Sequence, residues 1–350
     1  MWPISPLRQV DATIKGVSMK YYTFDNVFTY TNLLNAYQEC TKGVKWKASV
    51  QRYMIKAPYK ISQLYKKLYN GTYRLSPYNT FTTIERGKER EITSSTFEDR
   101  VVQKCLCNNF LVPRICPSFI YDNSASQKKK GVHFALKRCK VHFYKALRDY
   151  GVDSYVLQFD FHHYFASMDH KVIKKKLEKF IQDDKLKELT FSIIDTFGDV
   201  GMGLGSQVSQ TLALLYPSDL DHLIKEKLHI KYYGRYMDDG YAFCKTKEEC
   251  YKVLEAIQNW CNENKMCINA KKTSITKLTK GFIFLKKRFF RGRRGNLVVT
   301  LYKKNITRMR RKLLLLKKKK LDIATMIKCY YASYKKFNAY YQLRRLTNII

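Results

Sequence analysis

Between Ile230 and Cys244 two short runs rich in aromatic and aliphatic residues flank Met237-Asp238-Asp239-Gly240, and runs of that kind separated by Asp and Gly read as a β-hairpin. A third such run, Ser154–Phe161, reads as a strand whose last polar residue is Asp160. Elsewhere the spacing is helical. From Tyr30 to Tyr69 the apolar set Leu33, Leu34 and Tyr37 is followed by Ile61, Leu64, Tyr65 and Leu68, and Asn70-Gly71 closes the last helix. Tyr78–Ile92 reads as strands about an Arg86-Gly87 turn, and Phe97–Phe110 as a helix starting near Ser95 or Thr96, with Glu98 and Asp99 where the helix dipole favours acids. Residues 121–131 form a polar loop that opens a basic helix running to about Tyr150, and Asp169 caps a helix starting at His170. Two basic helices are expected over Ile306–Leu321 and Met326–Leu346, with Leu313 to Leu316 packed inward on one reading.

A chain of 350 residues with 45% apolar content can fill one large core or several subdomains around a cleft. No repeat or low-complexity linker divides it, so one continuous unit is expected, with a change of character near 290. The ten cysteines include no CxxC pair, and no signal-like start is present, which points to a reduced cytoplasmic protein. No apolar run approaches the roughly 20 residues that span a bilayer, so no membrane role is expected. The charge decides the partner class. Lys plus Arg number 66 against 29 Asp plus Glu, a net +37, and these cations are interleaved with 27 Tyr and 20 Phe. Phosphate neutralisation and base stacking are then available from the same surfaces, which favours nucleic acid. A merely basic binding protein stays open on composition alone.

Asp160 at a strand end and Asp238-Asp239 in a tight turn lie about eighty residues apart, on separate rigid segments. Phosphoryl transfer to a sugar hydroxyl by two divalent ions needs carboxylates from such segments, because ions roughly 4 Å apart must share ligands. Adjacent Asp residues are also ordinary hairpin punctuation, so the pair alone leaves both readings open. His162 and His163 lack a third ligand at metal spacing, and the scattered cysteines read as core.

The order Asp160, Gly205–Gln210, Tyr236–Asp239, Lys272 resembles the ordered motifs of reverse transcriptases over about residues 28–345. That resemblance implies an α+β right-hand polymerase: fingers within 1–153, a palm with an antiparallel sheet over 154–290, and a helical thumb over 291–350. FDFHHYFASMD at 159–169 resembles the first catalytic motif, which implies metal binding by Asp160 and the Phe161 position and a steric sugar gate at Phe165. Tyr236-Met237-Asp238-Asp239 resembles the second, implying two more metal-binding carboxylates beside the incoming nucleotide. Asn269-Ala270-Lys271-Lys272-Thr273 resembles the motif whose lysine protonates the leaving pyrophosphate, placing Lys272. Arg90 stands where the family grips the triphosphate. Gln127-Lys128-Lys129-Lys130-Gly131 stands where the family has Arg-Pro-x-Lys-Gly, losing the Arg while the lysines keep the charge, and Lys286 and Lys287 follow Phe284-Leu285 where Phe-Leu-Gly grips the primer. Arg308, Arg310 and Arg311 fall on the helices that resemble a duplex-tracking thumb.

Most bacterial members carry QGxxxSP where this chain has LGxxxSQ, with Leu204, Gly205 and Gln210 at the contact positions. That departure resembles the reverse transcriptases of diversity-generating retroelements, and implies error-prone copying of a dedicated template RNA. The cofactor implied is magnesium, two ions, with manganese a possible substitute. Partners implied are template RNA, the RNA/DNA duplex, deoxynucleoside triphosphates, and a small basic accessory protein or self-association. Two alternatives accompany this expectation: an antiphage-defence reverse transcriptase copying a non-coding RNA, and a non-catalytic RNA-binding scaffold.

Overall fold

The structure, a computed structural model, describes residues 21–85, 88–293, 295–334 and Arg344. Among these, helices surround three antiparallel sheets. β1 (Asn79–Glu85) and β2 (Lys88–Ser94) form a hairpin. The central sheet has the order β4-β5-β3-β6, from β3 (Tyr155–Asp160), β4 (Tyr232–Tyr236), β5 (Asp239–Cys244) and β6 (Ser274–Lys277). β7 (Phe282–Phe284), β8 (Lys287–Arg291) and β9 (Leu297–Leu301) make the third sheet.

Strand alternation explains how the central sheet is covered. Leu157 and Phe159 of β3, Tyr233 of β4 and Ala242 of β5 join one core with the helices His170–Glu178, Gln207–Leu215 and Lys247–Glu263. The opposite face carries Val156, Tyr241 and Phe243, which pack on Ala135, Leu136, Cys139, Phe143 and Ala146 of the helix Val132–Tyr150 and on Phe282, Phe284 and Phe289. Both faces are thus filled, and the sheet's rigidity follows from that burial. The register Val156↔Phe243, Gln158↔Tyr241, Asp160↔Asp239 continues the second face toward the hairpin end, where side chains change from apolar to acidic.

The helices Tyr30–Thr41 and Ala57–Tyr69 contribute Leu33, Ala36, Ile61, Leu64 and Leu68, at helical spacing, to the core shared with Val101, Val102 and Cys105. Thr96 caps the helix Phe97–Leu106 by accepting from Asp99 N at 3.2 Å, while Asp99 accepts from Tyr73 Oη at 2.6 Å and Ser76 N at 3.2 Å. This helix does not run unbroken to Phe110, as its spacing predicts: Cys107–Leu111 widens to a π-turn. Asn109 Nδ2 donates to Cys105 O at 3.0 Å, and an intruding side-chain donor of this kind loosens the regular ladder.

β8 runs across 290–291 and pairs with both β7 and β9, and after β9 Leu301, Met309, Leu313 and Ile327 form their own small cluster. Of the Leu313–Leu316 run only Leu313 is buried, with Leu314 and Leu315 exposed, because a helix turns consecutive residues to different sides. The expected helix to Leu346 is described as Ala324–Tyr334, and its remainder, like the Arg86-Gly87 turn, lies outside the described residues apart from Arg344. No helix among the described residues is long and apolar enough to cross a membrane. The ten cysteines are free thiols.

Candidate active site

The hairpin between β4 and β5 turns over Met237 and Asp238 alone, since Tyr236 pairs with Asp239. Met237 takes a φ of 54°, the left-handed value such tight turns require. What holds a bulky residue there is Arg235. Its guanidinium, fully buried, donates from Nη1 to Met237 O at 2.8 Å and is clamped by Asp221 through Nε at 2.8 Å and Nη2 at 2.7 Å. Tyr233 Oη donates to the same carboxylate at 2.6 Å. Gly240 has no side chain because a Cβ there would collide with the Phe159 ring directly opposite.

Asp160 and Asp239 face each other across the β3–β5 ladder, so their side chains leave the same face of the sheet. Phe161 N donates to Asp238 O at 3.2 Å, tying the strand end to the turn. Three carboxylates therefore meet at one corner. Burial first, and the charges of Asp238 and Asp160 next, push the Asp239 carboxyl up to about 7. Burial and then Asp160 also raise Asp238 above the ordinary carboxylate range. Lys272 Nζ donates to both Asp160 oxygens at 2.7 Å, and Asn269 Nδ2 donates to Oδ1 at 3.2 Å. Burial alone would lower the Lys272 ammonium, but its bonds to Asp160 hold it above its usual value.

Among the described residues no three acidic, His or Cys side chains already form a metal cage. One cation, Lys272, is paired with both oxygens of Asp160. The donor set nonetheless suits a hard divalent ion, being all oxygen, with three carboxylates beside the single cation Lys272.

Around this corner the structure gathers several other expected residues. Phe165 is half-buried, edge-on to Tyr164, and its carbonyl accepts from Met202 N at 2.8 Å, which brings it beside the Gly203–Gly205 loop. That loop lies along β2: Gly205, at a φ of 115°, has Thr93 O and Ile92 Cγ2 within 4 Å of where a Cβ would sit. Leu204 is half-buried there. Gln210 is exposed and its Oε1 accepts from Ser126 Oγ at 3.2 Å, joining this segment to the polar loop 121–131. Tyr236 and Met237 are half-buried at the hairpin.

Others fall differently. The Phe161 ring is buried against Tyr164 at 5.4 Å between centroids, so its side chain does not face a ligand. Lys130 turns inward and donates to Tyr121 O at 2.9 Å and Asn123 O at 3.0 Å, stapling its own loop, while Lys128 and Lys129 are exposed. Lys287 is buried, and burial draws its ammonium down to about 8, so it is part of the sheet's interior rather than a surface contact for a strand. Lys286 is exposed at a φ of 64° in the Leu285-Lys286 turn, where the family pattern would have placed glycine. Arg308, Arg310 and Arg311 are exposed on the helix Lys303–Lys318. Arg90 pairs with Thr83 in the β1–β2 hairpin, and its side chain lies outside the described residues.

Sequence reasoning passed over Arg235, Asp221 and Asn269. A lone Arg inside the aromatic run Tyr232–Tyr236 is a signal, since a buried guanidinium must have a carboxylate partner. Asp221 carries no such local mark.

A family model described as reverse transcriptase (RNA-dependent DNA polymerase) matches residues 79–307, well over half the chain and including the whole corner just described. The chain belongs to the reverse transcriptase family. It is similar to two solved structures of apo telomerase from Candida tropicalis. One, truncated from its C-terminal domain, has a TM-score of 0.48 and 14% identity over 62% of this chain and 54% of that one. The other has a TM-score of 0.49 and 11% identity over 62% and 47%. This reverse transcriptase chain thus spans about half the length of those structures. The search of curated proteins returned no match.

Proposed function

We propose that this chain extends a DNA primer on an RNA template with deoxynucleoside triphosphates. The observation that carries the reading is the cross-strand pairing of Asp160 with Asp239, Asp238 adjoining, in a corner whose excess negative charge calls for cations. Asp160, Asp238 and Asp239, with the Phe161 backbone carbonyl, would hold two magnesium ions or manganese in their place. Bound there, the metals would supply charge stabilisation to the attacking 3′-oxygen and the leaving pyrophosphate. The protein's own part is positioning. Arg235 fixes the turn, the β3–β5 ladder fixes the spacing, and Phe165 stands beside the loop that would receive the sugar, where an aromatic ring leaves no room for a 2′-hydroxyl. Lys272, bonded here to Asp160, would be released if metal ions took that carboxylate and could then give a proton to the leaving pyrophosphate. Exposed Lys128, Lys129, Lys286, Arg308, Arg310 and Arg311 would neutralise phosphates of the bound strands.

We further propose that copying is error-prone, as in diversity-generating retroelements, because Leu204 offers the incoming nucleotide no hydrogen bond. A small basic accessory protein or self-association would complete such an enzyme. Titrating Mg²⁺ into a primer-extension reaction on RNA tests the core of the proposal. Activity should appear only with the divalent ion and vanish with chelator; extension that persists in chelator refutes it. Misincorporation should fall when Leu204→Gln restores an amide, and an unchanged error rate would remove the finer reading.

A further inference from the structure

The stretch Lys42–Ile84 contains nine Lys and Arg and no acid at all, and most of it precedes the residues that the family model matches. Lys67 is paired with Glu98 at 3.1 Å, and the surface around the others favours an anionic partner. Its helix Ala57–Tyr69 is two-faced: Ala57, Ile61, Leu64 and Leu68 are buried, and the opposite side presents Tyr59, Ser62, Gln63 and Lys66, with Tyr69 flanking. Large aromatic rings normally bury, yet Tyr59 is 65%, Tyr69 66% and Trp46 74% exposed. The rings are also ordered. Tyr65 stacks on Tyr69 at 6.2 Å and 28°, and Tyr30 meets Tyr65 edge-on at 6.5 Å, so three rings form a surface ladder.

The ladder leads into a cleft. Tyr69 forms one wall of a cavity of about 680 Å³, roomy enough for an unpaired nucleotide, with Arg74 and Lys185 as its cations and Glu188 as its one acid. The far wall includes Thr196; its neighbour Phe197 stacks on Tyr78 at 4.8 Å and fills the space beside Gly203, in the loop next to Phe165. The cleft therefore backs directly onto the candidate nucleotide loop.

We propose that this N-terminal surface binds single-stranded RNA, the template not yet copied, along Tyr59, Lys66 and Tyr69 and into the cleft beside Arg74 and Lys185. Free ring faces beside cations fit unpaired bases and their phosphates; a duplex presents no free base face to stack on them. The choice of RNA over DNA rests on the polymerase reading, whereas the surface itself does not.

The test uses the full chain and RNA templates annealed to one DNA primer, with a 5′ overhang of one nucleotide or of about 15, a length that fills a typical single-strand site. Fluorescence anisotropy should show the long overhang bound about tenfold more tightly, the worth of one or two stacked bases. The triple variant Tyr59→Ala/Lys66→Glu/Tyr69→Ala should lose that preference while binding and extending the short-overhang substrate like wild type. Asp238→Ala should keep the preference, so a failed catalytic reading remains distinguishable. An undiminished preference in the triple variant overturns the proposal. So does equal weakening on both substrates, or a variant that loses binding to anionic phosphatidylserine vesicles but not to RNA. A DNA overhang bound as tightly as RNA overturns the choice of RNA.

Discussion

Replacing Arg235 with Met should unfold the hairpin's support before it touches any substrate. Arg235 and Asp221 are both fully buried and joined by two bonds of 2.8 and 2.7 Å, so the substitution strands a carboxylate in the interior. Breaking one side of such a pair costs about 3–5 kcal/mol, and the bonds to Met237 O and Leu214 O lose roughly 1 kcal/mol each besides. Removing both partners, as in Arg235→Met/Asp221→Leu, replaces the ion pair by apolar volume. It should recover about 2 kcal/mol of that loss, because the stranded carboxylate is gone while the two carbonyls stay without their donor and Tyr233 Oη, deprived of its acceptor, costs about 1–3 kcal/mol. Urea unfolding of wild type, single and double variants measures these differences. Primer extension by the double variant should stay at least about tenfold below wild type, because Met237 O has lost its donor and Asp238 its fixed place. A single variant within about 1 kcal/mol of wild type, or a double variant of full activity, refutes the positioning role of Arg235.

Metal-free Asp239→Asn should be more stable than wild type, by a margin that depends on pH. Raised from an ordinary 3.8 to about 7, Asp239 binds a proton in the native state that the unfolded chain releases, so its unfavourable contribution grows as pH climbs through that window and levels off above it. Melting curves in chelator from pH 4 to 8 should diverge accordingly, and added Mg²⁺ should raise wild type more than the variant; parallel curves contradict the electrostatics. Phe165→Ala should admit ribonucleotides at least about tenfold more readily in competition assays, whereas unchanged sugar selection moves the gate elsewhere. Affinity for template–primer should drop by about a thousandfold between 50 and 200 mM salt if six or more phosphates are neutralised. A flat salt response would assign the net +37 to something else.

The parts of this fold written in local spacing were legible. Asp169 capping the helix from His170, the β4–β5 hairpin and the helix after residue 131 follow from adjacent residues and lie close to where their sequences place them. What escaped depends on distant partners. The β7–β9 sheet is built from short strands such as Phe282–Phe284, too brief to show a period. Lys287 looks like a surface cation in sequence, but alternation in β8 turns it inward between exposed Lys286 and Arg288. At the site, the placing of Asp160 at a strand end and of Asp238 and Asp239 at a hairpin could be read from the sequence. That Lys272 bonds Asp160 is a contact between residues more than a hundred positions apart, which no spacing reveals.

Single-turnover incorporation of one deoxynucleotide onto a primer paired with RNA, in Mg²⁺, is the measurement closest to the heart of this account. Asp160→Asn and Asp238→Ala should each bind the substrate as wild type does and fall by at least about a thousandfold in the rate of bond formation, since each removes a carboxylate that no neighbour replaces. Incorporation at the wild-type rate by either variant would mean that the acidic corner between β3 and the β4–β5 turn is not where the chemistry happens.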